Sequence, residues 1–377
     1  MATKADQVSD GPPLEDAQND APDSQTTEES TTSTRPRHVL ARYLAVRFAL
    51  IIPTVWILVT VVFFFLRVIG DPITAAMGGR LPPEAIEARK QAAGFNDPII
   101  VQYGRYLRDL LHGNFGTTLT DNKSISSILV QYGPATLELV FWALIIAFLI
   151  GIPLGRIAAR RYNKGPDVSI RAFAILFYAA PVFFVALLLK LVFSIWLGWL
   201  PIAGRASIGT GVVLENNVAV NTHIYILNAI QYGDWNIIRD VLLHAILPGF
   251  TLGLLTAGVF IRLVRINLLQ TLRADYVTAA RARGVAEKKV ISLHAFRNAL
   301  IPVVTVMGME IAMMLGGAIL TETSFEWQGL GYWLSQYLIK RDFVAVQGIV
   351  TAIAVIIAVT SFLIDLINAL VDPRVRY

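Results

Sequence analysis

The sequence predicts an all-α polytopic membrane protein with six transmembrane helices. Three observations carry that reading. The 377 residues are 55% apolar and only 16% charged, with a mean hydropathy of +0.58, outside the range of soluble globular chains. Near-uncharged runs fall at 48–66, 139–155, 172–189, 245–261, 299–321 and 343–364, each close to the ~17–25 residues a helix needs to cross the hydrocarbon core. Lipid offers no hydrogen bonds, so a run that spans it pairs its own backbone as a helix.

In chain order, residues 1–34 come first, with eight Asp/Glu against one Lys and no aromatic residue. Such a stretch cannot bury enough apolar surface to fold, so 1–37 is expected to be a disordered acidic cytoplasmic tail. It lacks the basic n-region and apolar core of a signal peptide. Removing its net −7 from the chain's +5 leaves +12 on the rest, a basicity that loops beside anionic lipid explain without nucleic acid. Arg35, Arg37, Arg42 and Arg47 precede the first span. The 70–133 loop is too long for a simple connector. Pro82-Pro83-Glu84 predicts a short helix in it, and Tyr103, Tyr106, Leu107, Leu110 and Leu111 stand at helical spacing as a cap on the bundle.

Arg156, Arg160, Arg161 and Lys164 follow the second span. Lys190 interrupts the third span near its outer part, where it is expected to snorkel beside Trp196 and Trp199. A second long loop, 199–240, has only two basic residues, as does 322–342. Seven follow the fourth span within 265–297. By the positive-inside rule both termini, including Arg374 and Arg376, are cytoplasmic and the loops 70–133 and 199–240 external.

The 28 residues from Asp275 to Pro302 are more ordered than a connector requires. Thr278-Ala279-Ala280 offers a small surface that a partner helix can approach, and Gly284 permits a turn into a second helix. Asp275 and Glu287 stand near the starts of the two helices and Arg297 near the end of the second, as helix dipoles favour. Charge alone leaves two readings: a segment docking into another protein, or an amphipathic loop lying on anionic lipid. In the fifth span Glu310 is a costly mid-membrane carboxylate that needs a polar partner or a watery path. Gly308, Gly316 and Gly317 are expected to pack against a partner subunit, and Met307, Met309, Met313 and Met314 supply adaptable apolar surface.

The chain has no cysteine, and no nucleotide-binding G-x-x-x-x-G-K-[ST] loop, H-E-x-x-H or G-x-S-x-G, so neither ATP binding of that kind nor enzyme chemistry is indicated. The Thr278-Ala279-Ala280 and Gly284 pattern resembles the "EAA" loop of bacterial ABC-importer permeases, with Thr278 in place of the usual Glu. His294-Ala295-Phe296-Arg297-Asn298-Ala299-Leu300-Ile301-Pro302 resembles the branch importing dipeptides, oligopeptides and nickel chelates. Gly70-Asp71-Pro72, Gln102-Tyr103, Gly113-Asn114-Phe115-Gly116, Gly198-Trp199-Leu200-Pro201, Leu247-Pro248, Glu322-Thr323-x-Phe325, Gly329-Leu330-Gly331 and Arg341-Asp342 extend the likeness. Thr222 to Leu227 with Gly233-Asp234 is more like dipeptide permeases than oligopeptide ones.

The resemblance implies a type I ABC importer permease fold in the bacterial cytoplasmic membrane, with an external cap and a cytoplasmic coupling helix. It implies a second permease subunit, two ATPases that bind the ATP and Mg, and an extracytoplasmic peptide-binding protein. This chain itself would hold no cofactor or metal. Asp275, Thr278, Ala279, Ala280, Arg281, Arg283, Gly284, Glu287, His294 and Arg297 would make the ATPase-coupling surface. Glu310, Met314, Glu322 and Phe325 are the residues expected along the translocation pathway. Import of oligopeptides or of a nickel chelate stays open, as does an ion-coupled secondary transporter or a scaffold without transport.

Overall fold

In the computed structural model, residues 36–78 and 81–371 are described; the acidic stretch 1–34, Arg374 and Arg376 lie outside them. Among the described residues, five helices are long and apolar enough to cross a membrane: α1 (Pro36–Ile69), α5 (Ile125–Arg160), α10 (Trp235–Thr271), α14 (Ile301–Phe325) and α16 (Phe343–Val371). The third expected span differs from the sequence reading. It is a bent pair, α6 (Gly165–Ala179) and α7 (Val182–Leu189, continued by a π-helical turn to Trp196), which meet at 107°. Pro181 lacks an N–H and pushes Ala180 out of the helical region, to φ −74° and ψ 136°, so an apolar run is broken where its hydropathy shows nothing. Counting the pair as one span, the bundle has six.

Shorter helices close the two ends. At the cap end lie α2 (Pro72–Met77), α3 (Pro83–Ala92) and α4 (Ile99–Leu111), then α8 (Ile208–Asn216) and α9 (Tyr225–Tyr232), then α15 (Leu330–Ile339). At the opposite, basic end lie α11 (Asp275–Ala282), α12 (Glu287–Lys289) and α13 (Phe296–Ala299). Among the described residues there is no sheet, only an isolated bridge between Thr117 and Ser124.

The centre of the bundle is the contact of α5 with α10, the most buried of the long helices. Small residues set the distance: a Cβ on Gly253 would stand 2.5 Å from the Ala143 carbonyl oxygen, and one on Gly155 2.8 Å from that of Ile261. Between lipid-immersed helices, where apolar surfaces gain little by meeting, such backbone approach is a main source of cohesion. Around it pack Leu139, Val140, Leu252, Met314, Leu315 and Trp327.

Two expectations about α14 change here. Gly308 faces Ile364 of α16, and Gly317 faces Leu252 of α10, so neither is offered to another subunit; Gly316 alone of the three opens outward. Lys190 does not snorkel. Its Nζ donates to the Ser324 carbonyl at 2.8 Å and lies 5.6 Å from the centre of the Phe325 ring, where it serves one of the unpaired carbonyls that end α14. The cap expected of α4 forms through its tyrosines. Tyr103 meets the Thr60 hydroxyl at 2.5 Å and Tyr106 that of Thr351 at 2.8 Å, whereas Leu111 is 87% exposed.

Candidate functional site

The basic segment is built on the ends of α5 and α10. α10 stays helical to Thr271, beyond its apolar run, so Arg265 is a helix residue and the connector begins later than 265. α11 ends in a Schellman turn: Val285 N–H donates to the Ala280 carbonyl at 3.2 Å and Gly284 N–H to that of Arg281 at 2.9 Å. Gly284 has φ +75°, a left-handed conformation that other residues resist. The chain then doubles back through α12, a π-helical turn (Val290–Ala295) and α13. One face is apolar and closed: Val277, Ala280, Val290, Ala295 and Ala299 pack on Ala159 of α5 and Leu268 of α10. Arg156 lies over the Phe296 ring at 5.1 Å.

The other face is open. Asp275, Thr278, Ala279, Arg281, Arg283, Gly284, Glu287, His294 and Arg297 are exposed. Ala280 is the correction within this group: it is 8% exposed and spent on the chain's own core, because one step along a helix turns a side chain through about 100°. The turn is clamped by Arg281, whose Nε and Nη2 donate to the two Glu287 carboxylate oxygens at 3.1 and 2.9 Å, while Nη1 donates to the Leu272 carbonyl at 3.2 Å. Those bonds from Arg281 hold the Glu287 carboxyl below its ordinary range.

The four expected pathway residues separate into two sets. Glu310 is half-buried on α14, whereas Met314, Glu322 and Phe325 are 2%, 0% and 1% exposed. Met314 joins the α5–α10 core and Phe325 packs with Ala186 and Leu247. Glu322 has a structural post: it accepts the Tyr332 N–H at 2.9 Å at the start of α15, where a carboxylate opposes the helix dipole. Gly329 and Gly331 leave the space that its carboxylate fills, which accounts for the spacing of that motif. The surface α14 leaves uncovered is another stripe, Met309, Met313, Gly316, Leu320 and Thr323, at three- and four-residue intervals.

Three buried carboxylates to which sequence reasoning gave no role organise both ends. Glu138 of α5, fully buried, accepts from Arg205 Nη2 at 2.7 Å, from Ile226 N–H at 2.9 Å and from Tyr225 N–H at 3.2 Å. It thereby sits on the N-terminus of α9 and fastens the 199–240 loop to the bundle. Arg205 is itself sandwiched, 3.8 Å from the Tyr225 ring centre and 5.6 Å from that of Trp327. Burial pushes the Tyr225 hydroxyl up to about 12, the nearby Arg205 offsetting part of the rise. Asp342 accepts Thr120 N–H at 2.8 Å and its hydroxyl at 3.0 Å, tying the 70–133 loop to the start of α16. Asp167 takes two bonds from Arg265, at 2.6 and 2.9 Å, and locks α6 to α10 at the basic end. Glu138 and Asp342 stand immediately before apolar runs, the one signal by which sequence could have found them; Asp167 lies five residues ahead of its run, with Arg171 between. Among the described residues no group of three or more His, Asp or Glu is placed to hold a metal ion.

Comparison with known proteins agrees with this architecture. Residues 151–377 match the family model described as binding-protein-dependent transport system inner membrane component, and residues 37–140 match that of its N-terminal part. The chain is 34% identical over 336 residues to a dipeptide transport system permease protein of Alkalihalophilus pseudofirmus, covering 89% of this chain and 99% of that one. Over 340 residues it is 35% identical to the dipeptide transport system permease protein of Escherichia coli K12, covering 90% and 99%. A glutathione transport system permease protein of Salmonella paratyphi A is 32% identical over 339 residues, covering 90% and 100%.

Proposed function

We propose, from the premise that the chain belongs to the family of binding-protein-dependent transport system inner membrane components, that it is the permease subunit of an ABC importer of short peptides, dipeptides foremost. The observation that carries the mechanism is the two-faced basic segment. Its inner face is fused to α5 and α10 while its outer face is polar, small-residued and uncovered. A surface so braced from behind transmits a push, and two ATPase subunits carrying ATP and Mg supply it. The family description supports work beside a binding protein, and the names of the relatives support a peptide cargo.

The basic segment and both termini face the cytoplasm, as the arginine distribution favours. Thr278, Ala279, Arg283 and Gly284 form the centre of the ATPase contact. The exposed stripe of α14, with Met309 at 63%, Met313 at 69% and Leu320 at 50% exposure, faces the second permease and the passage. Glu310 stands beside it to receive the cationic amino end of a peptide. Rigid-body rocking of the two permeases then alternates access to the passage.

The chain has no cysteine, which makes the test direct. A single Ala279→Cys chain, assembled with its ATPases each carrying one cysteine in the docking cleft, should cross-link, and an Ala280→Cys chain should not. Cross-linking at Ala280 and none at Ala279 would reverse the assignment of faces and remove the basis of the mechanism.

A further inference from the structure

A groove of about 320 Å³ runs between α6 and α10 at the basic end. Its depth profile follows from the helix contact. The two helices are antiparallel and touch at Ala174 and Gly258, where a Cβ on the glycine would lie 2.8 Å from the Ala174 carbonyl oxygen. One turn toward the basic end brings Arg171 level with Arg262, and a second turn brings Asp167 level with Arg265. The bidentate Asp167–Arg265 pair confirms that register. The apolar runs of the two helices begin at 172 and end at 261. The arginines therefore stand where hydrocarbon gives way to headgroups, and the groove above them is walled by Ile175, Tyr178 and Val259.

The charges at this border do not cancel. Asp167 is committed to Arg265, and Arg171 stands 3.7 Å from the same carboxylate with its side chain 45% exposed. Arg262 is exposed and, among the described residues, makes no ion pair, although Glu310 lies within electrostatic reach. Counting both acids against three guanidinium groups, the border keeps a net positive charge. The groove's own lining contains three arginines and no carboxylate, so it lacks the partner that the ammonium of a peptide would need. A phospholipid presents phosphate and then hydrocarbon in the order this wall presents guanidinium and then apolar side chains. Arginine's planar fork suits phosphate oxygens, and basic pockets between helices on the cytoplasmic side are a recurrent form of headgroup site.

We propose that this groove binds an anionic phospholipid of the leaflet at the basic end, its phosphate on Arg171 and Arg262 and an acyl chain against Ile175, Tyr178 and Val259. The site is separate from the docking segment and from the exposed stripe of α14, and it holds whatever the cargo is.

The assembled transporter is placed in nanodiscs of phosphatidylcholine with one-fifth phosphatidylglycerol, and co-purifying lipid is counted by native mass spectrometry. Wild type should retain phosphatidylglycerol about tenfold or more over the Arg171→Gln/Arg262→Gln double variant. Ile266→Glu, which alters no arginine and sets a negative charge at an exposed position of the lining, should lose it too. Equal retention by wild type and both variants, all eluting as intact complexes, overturns the proposal. So does a changed peptide KM for Arg171→Gln, which lines the groove away from Glu310, in pure phosphatidylcholine, because the groove would then belong to the cargo.

Discussion

Replacing Arg205 by Met isolates the role of the buried pair at the cap end. The substitution keeps the aliphatic stem and removes the charge, which leaves Glu138, with no exposed side-chain surface, facing only two backbone N–H groups. Removing one partner of a buried pair costs about 3–5 kcal/mol, because the remaining charge is left in a poorly polarisable interior. The loss falls on the local closure of the 199–240 loop, since Arg205 reaches nothing in the basic end: its bonds are to Glu138 and the His223 carbonyl. At ~1.4 kcal/mol per tenfold in an equilibrium constant, the open fraction of that loop should rise by about a hundredfold or more. Hydrogen exchange of the Tyr225 and Ile226 amides, which donate to Glu138, reports this opening directly. Arg205→Met combined with Glu138→Gln, which removes the stranded charge and keeps an oxygen to accept from those amides, should recover part of the loss. Unchanged exchange at those two amides in Arg205→Met, or a double variant that opens as much as the sum of both single ones, would refute the latch.

The two alanines of the basic segment should fail differently. Ala279→Arg should leave the chain inserted and thermally unchanged but block uptake by the reconstituted transporter, whereas Ala280→Arg should lower the melting temperature of the chain, since it forces a charge into the cluster with Val277, Val290 and Ala295. Glu310→Gln should slow peptide uptake in proteoliposomes without altering complex assembly on gel filtration; identical uptake rates would remove Glu310 from the passage. The Arg281–Glu287 clamp should be pH-dependent with a definite sign. Arg281 lowers the folded carboxyl below its ordinary 4.5, so the clamp contributes fully above that value and fades as pH falls through the lower, folded one. Hydrogen exchange at Val285, whose N–H closes the turn, should quicken as pH falls below 4.5 relative to the same protein carrying Glu287→Gln, after correction for intrinsic rates.

Much of the bundle was legible because lipid imposes it: an apolar run long enough to span must pair its own backbone, so helices follow from composition. The break in the third span was legible only in part. Pro181 is plain in the sequence, but the direction and size of the bend depend on what α6 and α7 pack against. Gly284 announced its turn, since few residues tolerate its conformation. The choice between Ala279 and Ala280 required the phase of an eight-residue helix, which two adjacent alanines cannot supply. Glu322 looked like a pathway carboxylate because its partner, the start of α15, lies ten residues on and is a set of backbone N–H groups with no sequence signature. Glu138 and Arg205 are 67 residues apart, and nothing local to either predicts the other.

The long helix α10 gives the molecule a strut. Its 37 residues, at ~1.5 Å each, make a rod of about 55 Å. One end carries α9 and the latch at the cap; the other carries the clamped basic knuckle. Glycine contacts weld its flank to α5. A tilt imposed at one tip is carried toward the other by α5 and α10 together, like the two arms of a seesaw, while Pro248 inside α10 and the 107° elbow of the neighbouring span are points where helix hydrogen bonding is interrupted.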